Sequence, residues 1–180
     1  MRLTILRHAP SLAGGRMAGR RDVPADCSDL AGLARQAARI GGGGRIIASP
    51  ALRCRQTAAG LGLITDRLEP ALWEQDLGAW EDLAPEALPD LGPLSMSALA
   101  RHRPEGGESF DDMAARVIPV LQRLQRDSVL IAHAGTVRAA LSMVVGPAAL
   151  SFAVAPLSIT VLRRAGEVWA VETVNLRAGD

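Results

Sequence analysis

Three short apolar runs, separated by segments with helical periodicity, constrain the fold of this chain more than any other feature. They cover residues 3–6, 45–48 and 128–132, and each has the length of a buried strand rather than of a core helix. Strands that alternate with helices are typical of a mostly parallel sheet covered on both faces. The pattern therefore predicts an α/β fold, a three-layer α/β/α sandwich with a mostly parallel central sheet.

Helix and turn signals fill the intervals between these strands. Asp29 is a predicted N-cap, and alternation around Gly166 predicts a C-terminal β-hairpin at the sheet edge. We expect helices at about 30–40, 50–61, 109–126 (kinked at Pro119) and 136–145, a short strand at 63–65, and hairpin strands at 157–162 and 168–174. Residues 83–107 predict a small helical lid. No repeat or linker divides the chain, so we expect one domain, 1–180.

Polar side chains stand directly after the three predicted strands. Arg7 and His8 follow the first strand, Ser49 and Arg53 the second, and His133 the third. Because the carboxyl ends of parallel strands share one edge of a sheet, these groups are expected to converge there. A pocket with two arginines and two histidines is an anion site, and a phosphoryl group suits guanidinium forks.

One of these histidines could do covalent chemistry on a bound phosphoryl group. Neutral imidazole can attack phosphorus, and the arginines would stabilise the charge on the phosphoryl oxygens. A carboxylic acid is then needed to protonate the departing alkoxide and to accept a proton from water. The candidates are the acids of one loop: Glu74, Asp76, Glu81 and Asp82.

Composition narrows the range of functions. The net charge is +1 and all 20 basic residues are arginine, so nothing favours a nucleic-acid surface. No run is as long as a membrane helix. The two cysteines, Cys27 and Cys54, show no metal-ligand spacing; we expect free thiols in a reducing compartment and a cytoplasmic protein. Arginines beside His8 and His133 would repel a cation, so neither a metal nor another cofactor is expected.

Four segments, in order, resemble the motifs of the histidine phosphatase (phosphoglycerate mutase-like) superfamily. The first is Leu6-Arg7-His8-Ala9-Pro10-Ser11, which resembles the Arg-His-Gly motif of that family. The second, residues 49–58, is similar to its Ser-Pro-x-x-Arg-x-x-Gln-Thr-Ala motif. Residues 72–81 resemble its acid-bearing segment, and residues 131–138 its second-histidine segment. Gly107-Glu108-Ser109, with Asp112 and Arg116, resembles a further recurrent stretch.

The resemblance implies a role for each site residue and a small phosphorylated substrate. His8 would be the phosphorylated nucleophile, and Glu74 the general acid and base, with Asp76 or Glu81 as alternatives. Arg7, Arg53 and His133 would bind the phosphoryl group, and Ser11 would add a hydroxyl. Arg20 would contact the substrate, or else be a solvated loop charge.

The chain departs from the family pattern at two positions. Ala9 replaces the usual glycine, and Gly14 stands where many members carry asparagine. Within the superfamily, the loop at residues 19–24 and the acid-bearing segment look most like those of the α-ribazole phosphatases of cobalamin assembly. The alternatives are a phosphoglycerate mutase-like enzyme, a phosphohistidine protein phosphatase, and a non-catalytic module that binds a phosphorylated ligand.

Overall fold

Six strands form one sheet, and helices cover both of its faces. The computed structural model describes all residues, 1–180. The strands are β1 (Arg2–Arg7), β2 (Arg45–Ala48), β3 (Arg67–Leu68), β4 (Ser128–Ala132), β5 (Ile159–Ala165) and β6 (Val168–Leu176). The α-helices are α1 (Leu30–Ile40), α2 (Leu52–Gly60), α3 (Met96–Arg101), α4 (Phe110–Gln122) and α5 (Ala134–Val145).

The sheet is mostly parallel, as predicted, in the order β3-β2-β4-β1-β5-β6. Strands β3, β2, β4 and β1 pair in parallel, and the C-terminal hairpin β5–β6 continues the sheet antiparallel to β1. The register places Arg7 opposite Ala132 and Ala48 opposite Ile131. Since each of these residues ends or nearly ends its strand, the polar residues that follow emerge at one edge.

Alternation along the strands divides the core into two halves. Leu3, Ile5 and Leu130 pack with α4 and α5 on one face of the sheet. Leu6 and Ile131, which point the other way, pack with α1 and α2. A period of two in side-chain direction is what a strand buried on both faces requires. The α/β/α layering is therefore confirmed.

Several predicted boundaries differ from the observed ones. Residues 63–65 are not a strand, because Leu63 closes the end of α2 by donating its N–H to Ala58, and β3 begins only after Asp66. Helix α4 ends at Gln122 instead of Arg126, and the N–H of Leu124 bonds to Leu121 in a tighter last turn. Leu30, the first residue of α1, is 73% exposed.

Residues 83–107, the expected lid, contain a short 3₁₀ turn at Pro85–Ala87 and helix α3. Helix α3 packs against α4 and against the turn Gly146–Ser151, and its Ala100 is buried in the core. One helical segment, Ala134–Ser151, is long and apolar enough to cross a membrane by length and composition alone. Its buried residues lie in the core against α4, and core helices of soluble proteins commonly have this composition.

Candidate active site

A cleft of about 510 Å³ opens at the edge of the sheet where β1 and β4 end. Its walls include Arg7, His8, Ser11, Arg53 and Glu74, five of the predicted site residues. His133 lies directly behind His8, since the centroids of the two rings are 5.2 Å apart. Six of the seven predicted site residues are thus brought together, and the seventh, Arg20, lies elsewhere.

His8 is held in one tautomer at the floor of the cleft. Its Nδ1 lies 2.6 Å from the carbonyl oxygen of Ala9. Because a carbonyl only accepts, Nδ1 must carry the proton, and Nε2 keeps its lone pair. Burial lowers the pKa of His8 to about 3. The ring is therefore neutral at physiological pH, the form in which an imidazole is nucleophilic.

Arg7 and Arg53 extend into the cleft from the end of β1 and from the first turn of α2. The Nη1 of Arg7 donates to the carbonyl oxygen of Val154 at 2.5 Å. The guanidinium group of Arg53 donates to the carbonyl oxygens of Arg21 and Gly19, each at 2.8 Å. In both guanidinium groups the buried Nε has no partner. Both side chains also line the cleft, where the charge and the N–H donors of a guanidinium group suit an anionic ligand.

Thr57 connects the histidine loop to Arg53. Its hydroxyl accepts the N–H of Ala9 at 2.9 Å and donates to the carbonyl of Arg53 at 2.7 Å. The spacing of Arg53 and Thr57, four residues apart on α2, places both side chains on the buried face of the helix. The Thr57 side chain therefore fixes the position of His8, expected to attack phosphorus, relative to Arg53, expected to bind the phosphoryl oxygens.

His133 is fully buried and faces the start of α2. Its Nε2 lies 2.9 Å from the hydroxyl of Ser49 and 3.5 Å from Sγ of Cys54. Burial, followed by the nearby His8, lowers the pKa of His133 well below its ordinary value. Both cysteines are free, as expected, and burial strongly raises the pKa of the Cys54 thiol, which stays protonated beside the ring.

Glu74 is the one carboxylate among the residues that line the cleft. Its oxygens accept the backbone N–H of Gly135, at 3.2 and 3.4 Å, and that of Gln75 at 3.1 Å. The carbonyl oxygen of Glu74 accepts from Arg116 at 2.9 Å and from Arg20 at 3.2 Å. The backbone and the carboxylate of this residue are thus both held in place at the cleft wall.

The other three candidate acids are engaged away from the cleft. Asp76 accepts the N–H of Gly78 at 2.9 Å in a turn. Glu81 accepts the backbone N–H of Arg20 at 2.6 Å, and Asp82 pairs with Arg21 at 2.6 Å. The geometry therefore favours Glu74 over Asp76 and Glu81 as the proton donor and acceptor.

Arg20 lies behind the acid loop rather than in the cleft. Its guanidinium pairs with Glu108 at 3.2 Å, and Glu108 also forms an ion pair with Arg116 at 2.7 Å. These hydrogen bonds and ion pairs hold the backbone of Glu74. The structure thus places Arg20 in a position that supports the acid loop, where its side chain is neither a lining residue of the cleft nor an unpaired loop charge.

The two departures from the family motif have different structural settings. Ala9 is fully buried, and it is not among the residues with positive φ, so its methyl group causes no backbone strain. Gly14 has φ 63° and open space around it, in the loop between Ser11 and the cleft wall. The N–H of Leu52 at the start of α2 is bonded to Asp22, so that end of the helix is capped.

The sequence alone assigns no role to two cleft arginines, Arg16 and Arg138, or to the supporting Arg116. Arg138 follows His133 by five residues and lies on the same helix as Gly135. This closeness to His133 in the sequence could have identified Arg138 as a candidate cleft residue. Arg16 lies in a loop without periodicity, and nothing in the local sequence indicates the direction of its side chain. No group of three or more His, Cys, Asp or Glu side chains is arranged to hold a metal ion.

The fold and the cleft define a class, an α/β protein with a buried neutral histidine in a cleft lined by arginines. The family model of the histidine phosphatase superfamily (branch 1) matches residues 3–177. The chain belongs to that superfamily. Membership, together with phosphatases among the solved relatives, shows an enzyme of phosphatase or mutase type that works through phosphohistidine.

Solved structures similar to this chain come from thermophilic and mycobacterial sources. The protein TTHB049 from Thermus thermophilus is 30% identical, with 98% of this chain and 99% of that chain covered and a TM-score of 0.77. The mycobacterial glucosyl-3-phosphoglycerate phosphatase is 26% identical, with coverage of 98% and 99% and a TM-score of 0.81. Mycobacterial hydrolase 1 is 26% identical, with 98% of each chain covered and a TM-score of 0.82. No match is found among curated proteins.

Proposed function

We propose that this protein is a cytoplasmic, metal-independent phosphomonoesterase that carries its phosphoryl group on His8. The observation that carries the proposal is the fixed tautomer of His8, with Nδ1 donating to the carbonyl of Ala9 at 2.6 Å. That bond leaves Nε2 as the nucleophilic atom. We take residues 1–180 as one catalytic domain, with the lid at about 83–107.

In the first step, Nε2 of His8 attacks phosphorus and the bond from phosphorus to the ester oxygen breaks. Glu74, in its protonated form, gives its proton to the departing oxygen, so that the alcohol leaves neutral. Arg7 and Arg53, which line the cleft, donate to the phosphoryl oxygens. His133 and Ser11 complete the phosphoryl site. Positioned donors of this kind stabilise the charge that develops in phosphoryl transfer.

In the second step, water attacks the phosphohistidine and the bond from phosphorus to nitrogen breaks. The Glu74 carboxylate, now unprotonated, accepts a proton from that water. Inorganic phosphate is released and His8 regains its neutral form. Each step uses only residues that line the cleft or, in the case of His133, lie directly behind it.

Two substrates of known relatives belong in the first test. α-Ribazole 5′-phosphate follows from the resemblance of the loops at residues 19–24 and 72–81. Glucosyl-3-phosphoglycerate is the substrate named for the mycobacterial neighbour. A mutase-type reaction would instead return the phosphoryl group to another hydroxyl of the substrate, and a binding module would hold the phosphorylated ligand unchanged.

The test is steady-state phosphate release from a panel of monoesters that includes both compounds, in the presence of a chelator. His8→Asn is the inactive variant, because it removes the nucleophilic Nε2. It should preserve the local structure, because the asparagine amide can still donate to the Ala9 carbonyl. His102→Asn, the same substitution at a residue stacked on Trp80 outside the cleft, is the matched control. We expect turnover in wild type and His102→Asn and none in His8→Asn. Full activity of His8→Asn, or loss of activity on chelation, would contradict the proposal.

A further inference from the structure

The outer part of the cleft contains two arginines that the phosphoryl site does not use. Arg16, on the loop above His8, donates from Nη1 to the carbonyl of Asp82 at 2.7 Å. Arg138, on α5, donates from Nε and Nη2 to the carbonyl of Phe152 at 3.3 and 3.2 Å. Both partners are neutral carbonyls, so neither charge is neutralised and each guanidinium keeps N–H groups free.

The cleft differs from the rest of the surface in how its arginines are paired. The structure contains ion pairs for Arg20, Arg21, Arg67, Arg103, Arg116, Arg163 and Arg164. None of these arginines lines the cleft, and none of the four that do, Arg7, Arg16, Arg53 and Arg138, has a carboxylate partner. Glu74 is the single acid on the cleft wall.

This accumulation of positive charge has an energetic cost in the empty cleft. Burial lowers the pKa of Arg7, the nearby Glu74 carboxylate partly offsets this effect, and the positive charges of Arg138 and Arg53 add to the lowering. Like charges in a partly desolvated cleft destabilise one another unless an anion binds between them. A phosphoryl dianion held by Arg7 and Arg53 would neutralise only those two charges.

We propose that the leaving group of the substrate carries a second anionic group, a carboxylate or a second phosphate, bound by Arg16 and Arg138. The proposal rests on the proposed function of this cleft as a phosphomonoesterase site. It deepens that function by assigning the substrate class, a phosphate ester of an anionic alcohol.

Apolar side chains line the same cleft as the four arginines and indicate the chemistry of the rest of this leaving group. Met17, Leu77, Phe110 and Leu150 line the same cleft, and about 510 Å³ is within the volume range of pockets for small organic ligands. A carbon skeleton would therefore join the phosphoryl group to the second anion. Glucosyl-3-phosphoglycerate has this charge pattern through its glycerate carboxylate, whereas the α-ribazole part of α-ribazole 5′-phosphate has no second anion.

A matched set of aryl phosphates tests the proposal by kinetics. 4-Carboxyphenyl and 4-phosphonophenyl phosphate carry a second anion, and 4-carbamoylphenyl phosphate is the neutral isostere. We expect kcat/KM to favour an anionic ester by about tenfold, since hydrogen bonds between charged groups are roughly twice as strong as neutral ones. The preferred anion, carboxylate or phosphonate, identifies the second group.

Variants then show whether Arg16 and Arg138 cause this preference. In Arg16→Gln and Arg138→Gln the ratio of anionic to neutral kcat/KM should fall at least threefold, whereas an effect on folding or on the chemistry would cancel in the ratio. Arg126→Gln changes an exposed arginine that is outside the cleft and outside every ion pair. That control should keep the wild-type ratio.

Binding to His8→Asn separates this proposal from the proposed function, because it needs no turnover. Calorimetric titration with the same three esters should give a lower Kd for an anionic ester, and Arg16→Gln in that background should remove the difference. Equal Kd values and equal kcat/KM values for the three esters would overturn the second-anion site. Absence of hydrolysis with a preserved difference in Kd would count against the phosphomonoesterase alone.

Discussion

The rings of His8 and His133 lie edge to face with centroids 5.2 Å apart and an interplanar angle of 68°. Both side chains are buried, and burial is the largest cause of the lowered pKa of each. Two protonated imidazoles at this distance would repel each other and also the neighbouring Arg7 and Arg53. The folded protein therefore requires both rings to be neutral, and this requirement affects stability as well as chemistry.

Acid should destabilise the protein in a pH window that the two histidines define. In the unfolded chain each ring takes up a proton below about pH 6.5, whereas in the folded protein the pKa of His8 is about 3 and that of His133 is also lowered. The unfolded state then binds more protons, so the free energy of unfolding falls as pH falls below 6.5. We expect a loss of about 1.4 kcal/mol per pH unit for each histidine.

Urea unfolding between pH 6.5 and about 4.5 measures this effect, because ordinary carboxyl groups titrate mainly below that range. The slope of stability against pH should be smaller in His8→Asn than in wild type by about 1.4 kcal/mol per pH unit. A wild-type stability that does not change over this window would show that the two rings are not buried and neutral together.

Gly135→Ala should displace the carboxylate of Glu74 without disturbing the fold. A Cβ at this position would overlap Oε1 of Glu74 and lie 2.6 Å from Sδ and 3.1 Å from Cε of Met113, and both atoms of Met113 belong to the flexible end of an unbranched side chain. Position 135 is helical, where alanine is favoured over glycine, so thermal stability should change little. Loss of a positioned general acid should lower kcat by about tenfold or more.

The matched control for this variant is Gly42→Ala. Gly42 has open space around it and no positive φ, and it lies in the turn after α1, outside the cleft. Its kcat should equal that of wild type. If Gly135→Ala kept full kcat as well, the contact between Glu74 and the N-terminus of α5 would have no part in catalysis.

Glu74→Gln should slow the reaction according to the leaving group. An alkyl phosphate needs a proton on its departing oxygen, so we expect a loss of about a hundredfold or more in the rate of alcohol release. With p-nitrophenyl phosphate, whose leaving group is stable as an anion, the first-turnover burst should fall far less. Glu86→Gln, at an exposed acid in the turn Pro85–Ala87, serves as control. Equal losses for both esters would assign the proton transfer to another group.

The convergence of Arg7, His8, Ser49 and His133 could be predicted from sequence because it depends on strand polarity. Apolar runs define where the strands end, and parallel pairing places those ends at one edge. The predicted strand at 63–65 was wrong for a local reason, since Leu63 completes the end of α2 and the chain extends only after Asp66.

The setting of Arg20 could not be predicted, because its partners are remote in sequence. Glu108 is 88 residues away and Glu74 is 54 residues away, and no periodic pattern relates them. Loop side chains such as Arg16 and Arg20 have the same local composition, yet one lines the cleft and the other supports the acid loop. Arg16 and Arg20 point to different places only because of the path that the backbone takes between Ser11 and Asp29.

A phosphoryl group bound covalently to His8 is the central requirement of the proposed function. The protein should be mixed with a ³²P-labelled monoester, quenched in alkali within the first turnover, and digested with trypsin. Cleavage after Arg7, Arg16, Arg126 and Arg138 places His8 in peptide 8–16 and His133 in peptide 127–138. We predict acid-labile label on peptide 8–16 of wild type and His102→Asn, and none on that of His8→Asn. Turnover with label on peptide 127–138, or with no labelled peptide at all, would contradict the account.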